Sequence, residues 1–147
     1  MMKNIPSKED MSCHGMLEEE YAISHFYGKS VEEASELFFI NSEYYGGDFR
    51  WMSVKGFFYY INSIKKYLLS EEGEDDHLFI GNVINIIMFR LKEETDFEDA
   101  FKNHKKDILD ICVTMKIIIE KKNFHLEHSY CVDLLDHVST IIELCRN

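Results

Sequence analysis

One proline, Pro6, and seven glycines are all that a chain of 147 residues offers to interrupt a helix. Proline breaks a helix interior and glycine weakens it, so beyond the first few residues little prevents long helices. Apolar residues recur at three- and four-residue spacing through most of the chain, and no stretch sustains a two-residue alternation. The pattern predicts an all-α protein: a single-domain irregular bundle of about six helices spanning 1–147, its last four antiparallel. Residues 1–14 are expected to form a polar, partly disordered lead-in.

The helix boundaries follow from caps and breakers. A first helix is expected over about 16–27, with Glu18, Glu19 and Glu20 in its first turn and Gly28 ending it. Ser30 and Glu33 have capping-box spacing and open a second, which Gly46 and Gly47 close. Ser53 caps a third over about 54–69, with Phe57, Tyr60, Ile61, Ile64, Tyr67 and Leu68 on one stripe. Residues 71–76 read as an acidic loop, with Asp75 or Asp76 available to cap a fourth helix over about 77–92. That helix is apolar almost all round and therefore central. Thr95 and Glu98 suggest a second capping box, opening one long helix to about residue 122, and a last helix is expected over about 127–144.

Twenty-seven acids against sixteen Lys and Arg give a formal charge of -11. Such a balance argues against non-specific nucleic-acid binding, which needs cations for phosphates. It favours a basic protein partner, although acidic charge also serves simply to keep a small protein in solution. No apolar run is long enough for a membrane span and MMKNIPSKED lacks a signal-peptide core, so a cytoplasmic protein is expected. Cys13, Cys112, Cys131 and Cys145 show no metal or redox spacing, and reduced core thiols are the expectation.

Chemistry-bearing motifs are few. His125 with His128, and Asp133 with His137, have spacings at which side chains can meet on a helix, but the paired Glu-x-x-His pattern of a di-iron bundle is absent. His104 falls in the seam of the long helix and reads as a core or edge histidine. There is no nucleophile elbow, phosphate-binding glycine loop or calcium loop. No catalytic residue, metal or cofactor is therefore assigned, and a metal-binding helical-bundle enzyme using His125, His128 or His137 ranks last.

The strongest positive signal lies between Tyr44 and Leu69. This stretch holds nine of the twenty aromatic residues and sets Arg50, Lys55, Lys65 and Lys66 against the single acid Asp48. The inward stripe of the third helix leaves Phe58 and Tyr59 on the other side, beside Lys55, Asn62, Lys65 and Lys66. Exposed, they would form an interaction surface; covered by another helix, they would be ordinary packing. The acids Glu71, Glu72, Glu74, Asp75 and Asp76 follow directly, either as a solvated turn or as a phosphate mimic facing a basic partner. The candidate partner-binding set is thus Lys55, Phe58, Tyr59, Asn62, Lys66 and those five acids.

The segment Tyr44-Tyr45-Gly46-Gly47-Asp48-Phe49-Arg50-Trp51-Met52, continuing through Phe57-Phe58-Tyr59-Tyr60 to Tyr67-Leu68, resembles a pattern in small, acidic, all-helical bacterial proteins, some of them similar to immunity proteins of toxin–immunity systems. The resemblance covers about a quarter of the chain and carries no catalytic motif. It implies a non-enzymatic cytoplasmic inhibitor that binds and occludes a cognate toxin, often a nuclease. The alternative is a small homodimeric regulatory or scaffold protein that associates through an apolar helix face.

Overall fold

A computed structural model describes residues 4–11 and 17–147. Among the described residues every regular element is helical, so the all-α class holds. The described residues form ten α-helices rather than about six: α1 (Lys8–Met11), α2 (Leu17–Phe26), α3 (Val31–Gly46), α4 (Val54–Leu68), α5 (Glu71–Glu74), α6 (His77–Glu93), α7 (Thr95–Phe101), α8 (Lys105–Lys122), α9 (Phe124–Glu127) and α10 (Leu134–Arg146). Two 3-10 turns, Gly47–Arg50 and Ser129–Cys131, join α3 to α4 and α9 to α10.

The difference in number has local causes. Residues 71–74 are a helical turn, not a loop, because the Ser70 hydroxyl accepts from the Gly73 N–H at 3.0 Å. The expected long helix divides at Lys102–His104, where Asn103 and His104 donate to carbonyls three residues back. The break lets α7 turn Phe97 and Phe101 towards α4 and α6, while the α8 stripe Ile108, Ile111, Cys112, Met115 and Ile119 faces α4 and α10. The last expected helix begins only at Leu134, because Asn123 in the left-handed region (φ 58°) ends α8 and starts the short α9. Helix α3 also kinks: Asn41 has extended backbone, and its side-chain oxygen accepts from the Tyr44 N–H at 3.1 Å, recapping the helix beyond it.

Caps follow the sequence with one exception. Ser30 and Glu33 form the reciprocal capping box, Ser53 accepts from Gly56 N–H, and Asp76 accepts from Phe79 N–H. The box expected at Thr95 does not form: Glu94 stands at the cap and Thr95 is already helical. The Glu94 carboxylate is held instead by the Arg90 guanidinium.

Helix α4 runs through the centre and is buried on two sides. Phe57, Tyr60, Ile61, Ile64, Tyr67 and Leu68 form the expected stripe, and all are buried. The Tyr60 hydroxyl reaches the carbonyls of Phe26 and Lys29 at 2.7 and 2.8 Å, closing the end of α2, and burial pushes its pKa to about 12. Part of the expected lead-in is built into the fold. Met11 is buried against Gly56, Ser53 Oγ donates to the Asp10 carbonyl at 2.6 Å, and Lys55 pairs with the Asp10 carboxylate at 3.1 Å. Residues 1–3 and 12–16 lie outside the described residues, and with them Cys13 and the expected start of the first helix. Cys112, Cys131 and Cys145 are free, buried thiols. No helix among the described residues is long and apolar enough to cross a membrane.

Candidate interaction surface

The residues singled out between Lys55 and Asp76 do not act as one exposed patch. Phe58 is 2 % exposed, stacked on His104 at 4.5 Å and packed against Phe57 and Phe97. It belongs to the core, because α7 and the break before α8 cover the second side of α4. Tyr59 is half-buried, edge-on to Tyr60 at 4.8 Å; burial and then the Glu32 carboxylate raise its phenol pKa. Asn62 is half-buried and Lys55 and Lys66 are exposed. A cleft of about 390 Å³ brings Lys55, Phe58 and Tyr59 together with His104 and the N-terminal segment from Asn4 to Asp10. Lys66 and the acids lie elsewhere.

The acidic run is largely occupied by the protein itself. Glu74 pairs with Lys121, which holds its carboxyl below the usual range, and Lys122 bonds Asp75 at 2.8 Å. Asp76 caps α6 and accepts from the hydroxyls of Ser42 and Tyr67, the latter at 2.6 Å. Helix α5 is thereby tied to the C-terminal end of α8. Only Glu71 and Glu72 of the five remain exposed without an ion pair.

What the structure does expose is an apolar band beside those two acids. Leu69, the residue after α4, is 69 % exposed and lines two shallow grooves. One, of about 350 Å³, is shared with Glu36, Phe39, Lys66 and Ser70; the other, of about 310 Å³, with Thr114, Ile117, Ile118 and Lys121. Phe39 is partly exposed, Ile40 is 74 % exposed and Ile117 is 58 % exposed. Three helices thus contribute, with Leu69 common to both grooves, Glu36, Lys66, Glu74 and Lys121 among their linings, and Glu71 and Glu72 following directly on Ser70 in the chain.

A common signal marked these residues. Phe38-Phe39-Ile40, Leu68-Leu69 and Ile117-Ile118-Ile119 are consecutive apolar runs. Successive helical residues turn by about 100°, so a run of three spans more than a one-sided helix can bury, and Leu69 lies just past the end of α4. The exposed members are Phe39 with Ile40, Leu69, and Ile117.

The histidines are arranged differently from their sequence spacing. His128 stacks on His77, ring centroids 3.8 Å apart and planes within 19°, instead of meeting His125. The Tyr130 hydroxyl lies 2.6 Å from His77 Nδ1. Burial, then the neighbouring His128, holds the His77 pKa below the usual imidazole value. Among the described residues no group of three or more His, Cys, Asp or Glu side chains is arranged to hold a metal. A second cluster, unmarked by any spacing, joins α2 to the turn after α3: His25 Nδ1 lies 2.6 Å from the buried Asp48 carboxylate.

The fold and surface define an acidic, all-α protein in which the exposed apolar residues Phe39, Leu69 and Ile117 line two adjoining grooves. Comparison with family models, curated proteins and solved structures finds no match to this chain.

Proposed function

We propose that this protein is a non-enzymatic binding module of the immunity type, which acts in the cytoplasm by occluding a basic toxin domain. The observation that carries this reading is the exposed set Phe39, Leu69 and Ile117 lining two adjoining grooves, with Glu36 on one of them and Glu71 and Glu72 just beyond Ser70, on a chain of net charge -11. An apolar centre with a charged rim is the anatomy of protein interfaces. Lys66 and Lys121 also line the grooves, so it is the net charge of -11 that favours a cationic partner and speeds its approach. Leu69 replaces Phe58 as the apolar anchor, and Glu71 and Glu72 are the members of the acidic run left to meet the partner.

The test is size-exclusion chromatography with the protein encoded beside this one. A stable complex at micromolar concentration, abolished by Leu69→Asp and formed more slowly as salt rises, is expected. Absence of a complex, or one indifferent to Leu69→Asp, would refute the proposal. A homodimer through the same band would show as a mass that grows with concentration in sedimentation of the protein alone. That outcome would also count against it, since a second copy of the chain would then occupy the surface assigned to the toxin.

A further inference from the structure

We infer that a second face, formed by Tyr21, His25 and Tyr44, receives a guanidinium or ammonium group of the basic partner. The inference rests on the binding function proposed above but on a different surface. Tyr21 and Tyr44 are 52 % and 54 % exposed, although both belong to one connected cluster of rings. The His25 imidazole lies 6.5 Å from Tyr21, with planes within 15°, and 5.2 Å from Tyr44. Tyr45 packs edge-on beneath it at 5.1 Å.

The cluster is held in place from below. Asp48 is buried and grips His25 Nδ1 at 2.6 Å, which leaves Nε2 directed at the Tyr44 hydroxyl, 3.4 Å away. His25 therefore acts as a positioning residue for the tyrosine. Rings that are ordered before binding lose little freedom on contact, and tyrosine is enriched where binding energy concentrates.

The chemistry of the occupant follows from the electrostatics. Aromatic faces are electron-rich and attract cations. Glu18 stands one turn before Tyr21, so Glu18, Tyr21 and His25 follow one side of α2. The Asp48 carboxylate lies behind His25. An anionic group would meet these carboxylates and the field of a -11 chain. A cation would find π faces and carboxylates together.

The probe is the pentapeptide acetyl-Gly-Arg-Gly-Arg-Gly-amide, titrated at pH 8 against the full chain and followed by NMR. Its citrulline counterpart keeps the shape and removes the charge. Saturable shifts at Tyr21, His25 and Tyr44 are expected with the arginine peptide, with at least about fivefold weaker binding of the citrulline form. Tyr21→Ala with Tyr44→Ala should weaken the arginine peptide about five- to tenfold, and Leu69→Asp should leave it unchanged. Equal binding of both peptides, shifts centred on Glu71 and Glu72, or affinity untouched by the tyrosine changes would each overturn the assignment. The peptide comparison uses the unaltered protein, so misfolding of a variant does not remove the test. Failure here, with a Leu69-dependent complex still formed, would leave the binding function standing.

Discussion

Replacing Arg90 by methionine should cost about 2–4 kcal/mol of folding stability, an unusually large effect for a polar residue. Arg90 is 3 % exposed in the middle of the core. One guanidinium nitrogen donates to the Phe49 carbonyl at 2.9 Å; Nε and the other donate to Glu94 at 3.0 and 2.9 Å. The group also lies over the rings of Phe97 and Phe57, at 4.7 and 5.3 Å. Methionine fills most of the volume but leaves the Phe49 carbonyl unpaired, about 1–3 kcal/mol, and removes desolvated cation–π contacts of about 2 kcal/mol. Glu94 loses less, about 1 kcal/mol, because its side chain is 24 % exposed and Arg50 remains at 3.4 Å. Relief of the guanidinium's own desolvation offsets on the order of 2 kcal/mol of this sum. Urea denaturation measures the difference, and the melting temperature should fall by about 5–15 °C. Arg90→Lys should be no milder, since an ammonium cannot span both acceptors. A loss below about 1 kcal/mol, or a lysine variant as stable as the parent, would show that the fork does not hold the 3-10 turn to α6.

Gly73→Ala should destabilise by more than about 2 kcal/mol in the same assay, because a Cβ there would stand 1.9 Å from the Tyr67 carbonyl oxygen, a backbone atom that cannot yield. Phe57→Ala and Ile64→Ala should each cost about 2–5 kcal/mol, both side chains being fully buried; a loss below about 1 kcal/mol would place the α4 stripe on the wrong face. The lowered His77 pKa gives a signed pH dependence. Its contribution is present above the unfolded imidazole pKa and disappears as pH falls through the folded value, since the unfolded state then binds the proton more readily. Asp76 and Glu43 oppose this shift but rank below burial and His128. Stability should therefore decline from pH 7 to 5, and His77→Phe should flatten that decline; an unchanged slope would assign it to other groups.

The helical class and the inward stripe of α4 were legible because period and caps are local properties. Ser30, Ser53 and Asp76 cap where their spacing said they would. The subdivisions were not. Nothing at Lys102–His104 is a strong breaker, and the division there answers a tertiary need, since Phe97 and Ile108 must face different neighbours. Phe58 shows the same limit in reverse: its position on the polar side of α4 was clear, but its cover comes from His104 and Phe97, some forty residues away. Arg90 is a charged residue in a helix expected to be apolar almost all round, and its partners at Phe49 and Glu94, distant or one turn on, make it part of the core. The Asp48–His25 pair crosses 23 positions and leaves no periodic trace.

Occupation of the acidic run changes what charge can contribute to binding. With Glu74 and Asp75 paired to Lys121 and Lys122, and Asp76 bound inside, α5 presents Glu71 and Glu72 rather than five carboxylates. Two exposed acids cannot supply most of the affinity for a partner, because solvent-exposed ion pairs are each worth only about 0–1 kcal/mol. They can still steer the encounter, and the apolar residues around Leu69 must then govern how long the complex lasts. Glu71→Gln with Glu72→Gln should accordingly slow association and reduce its salt dependence while leaving dissociation nearly unchanged. Leu69→Ala should do the opposite, speeding dissociation at an almost constant association rate. Surface plasmon resonance with the partner immobilised separates the two rates. Acidic substitutions that act chiefly on dissociation would mean that Glu71 and Glu72 sit desolvated at the centre of the contact, and the apolar band would lose its place as the anchor.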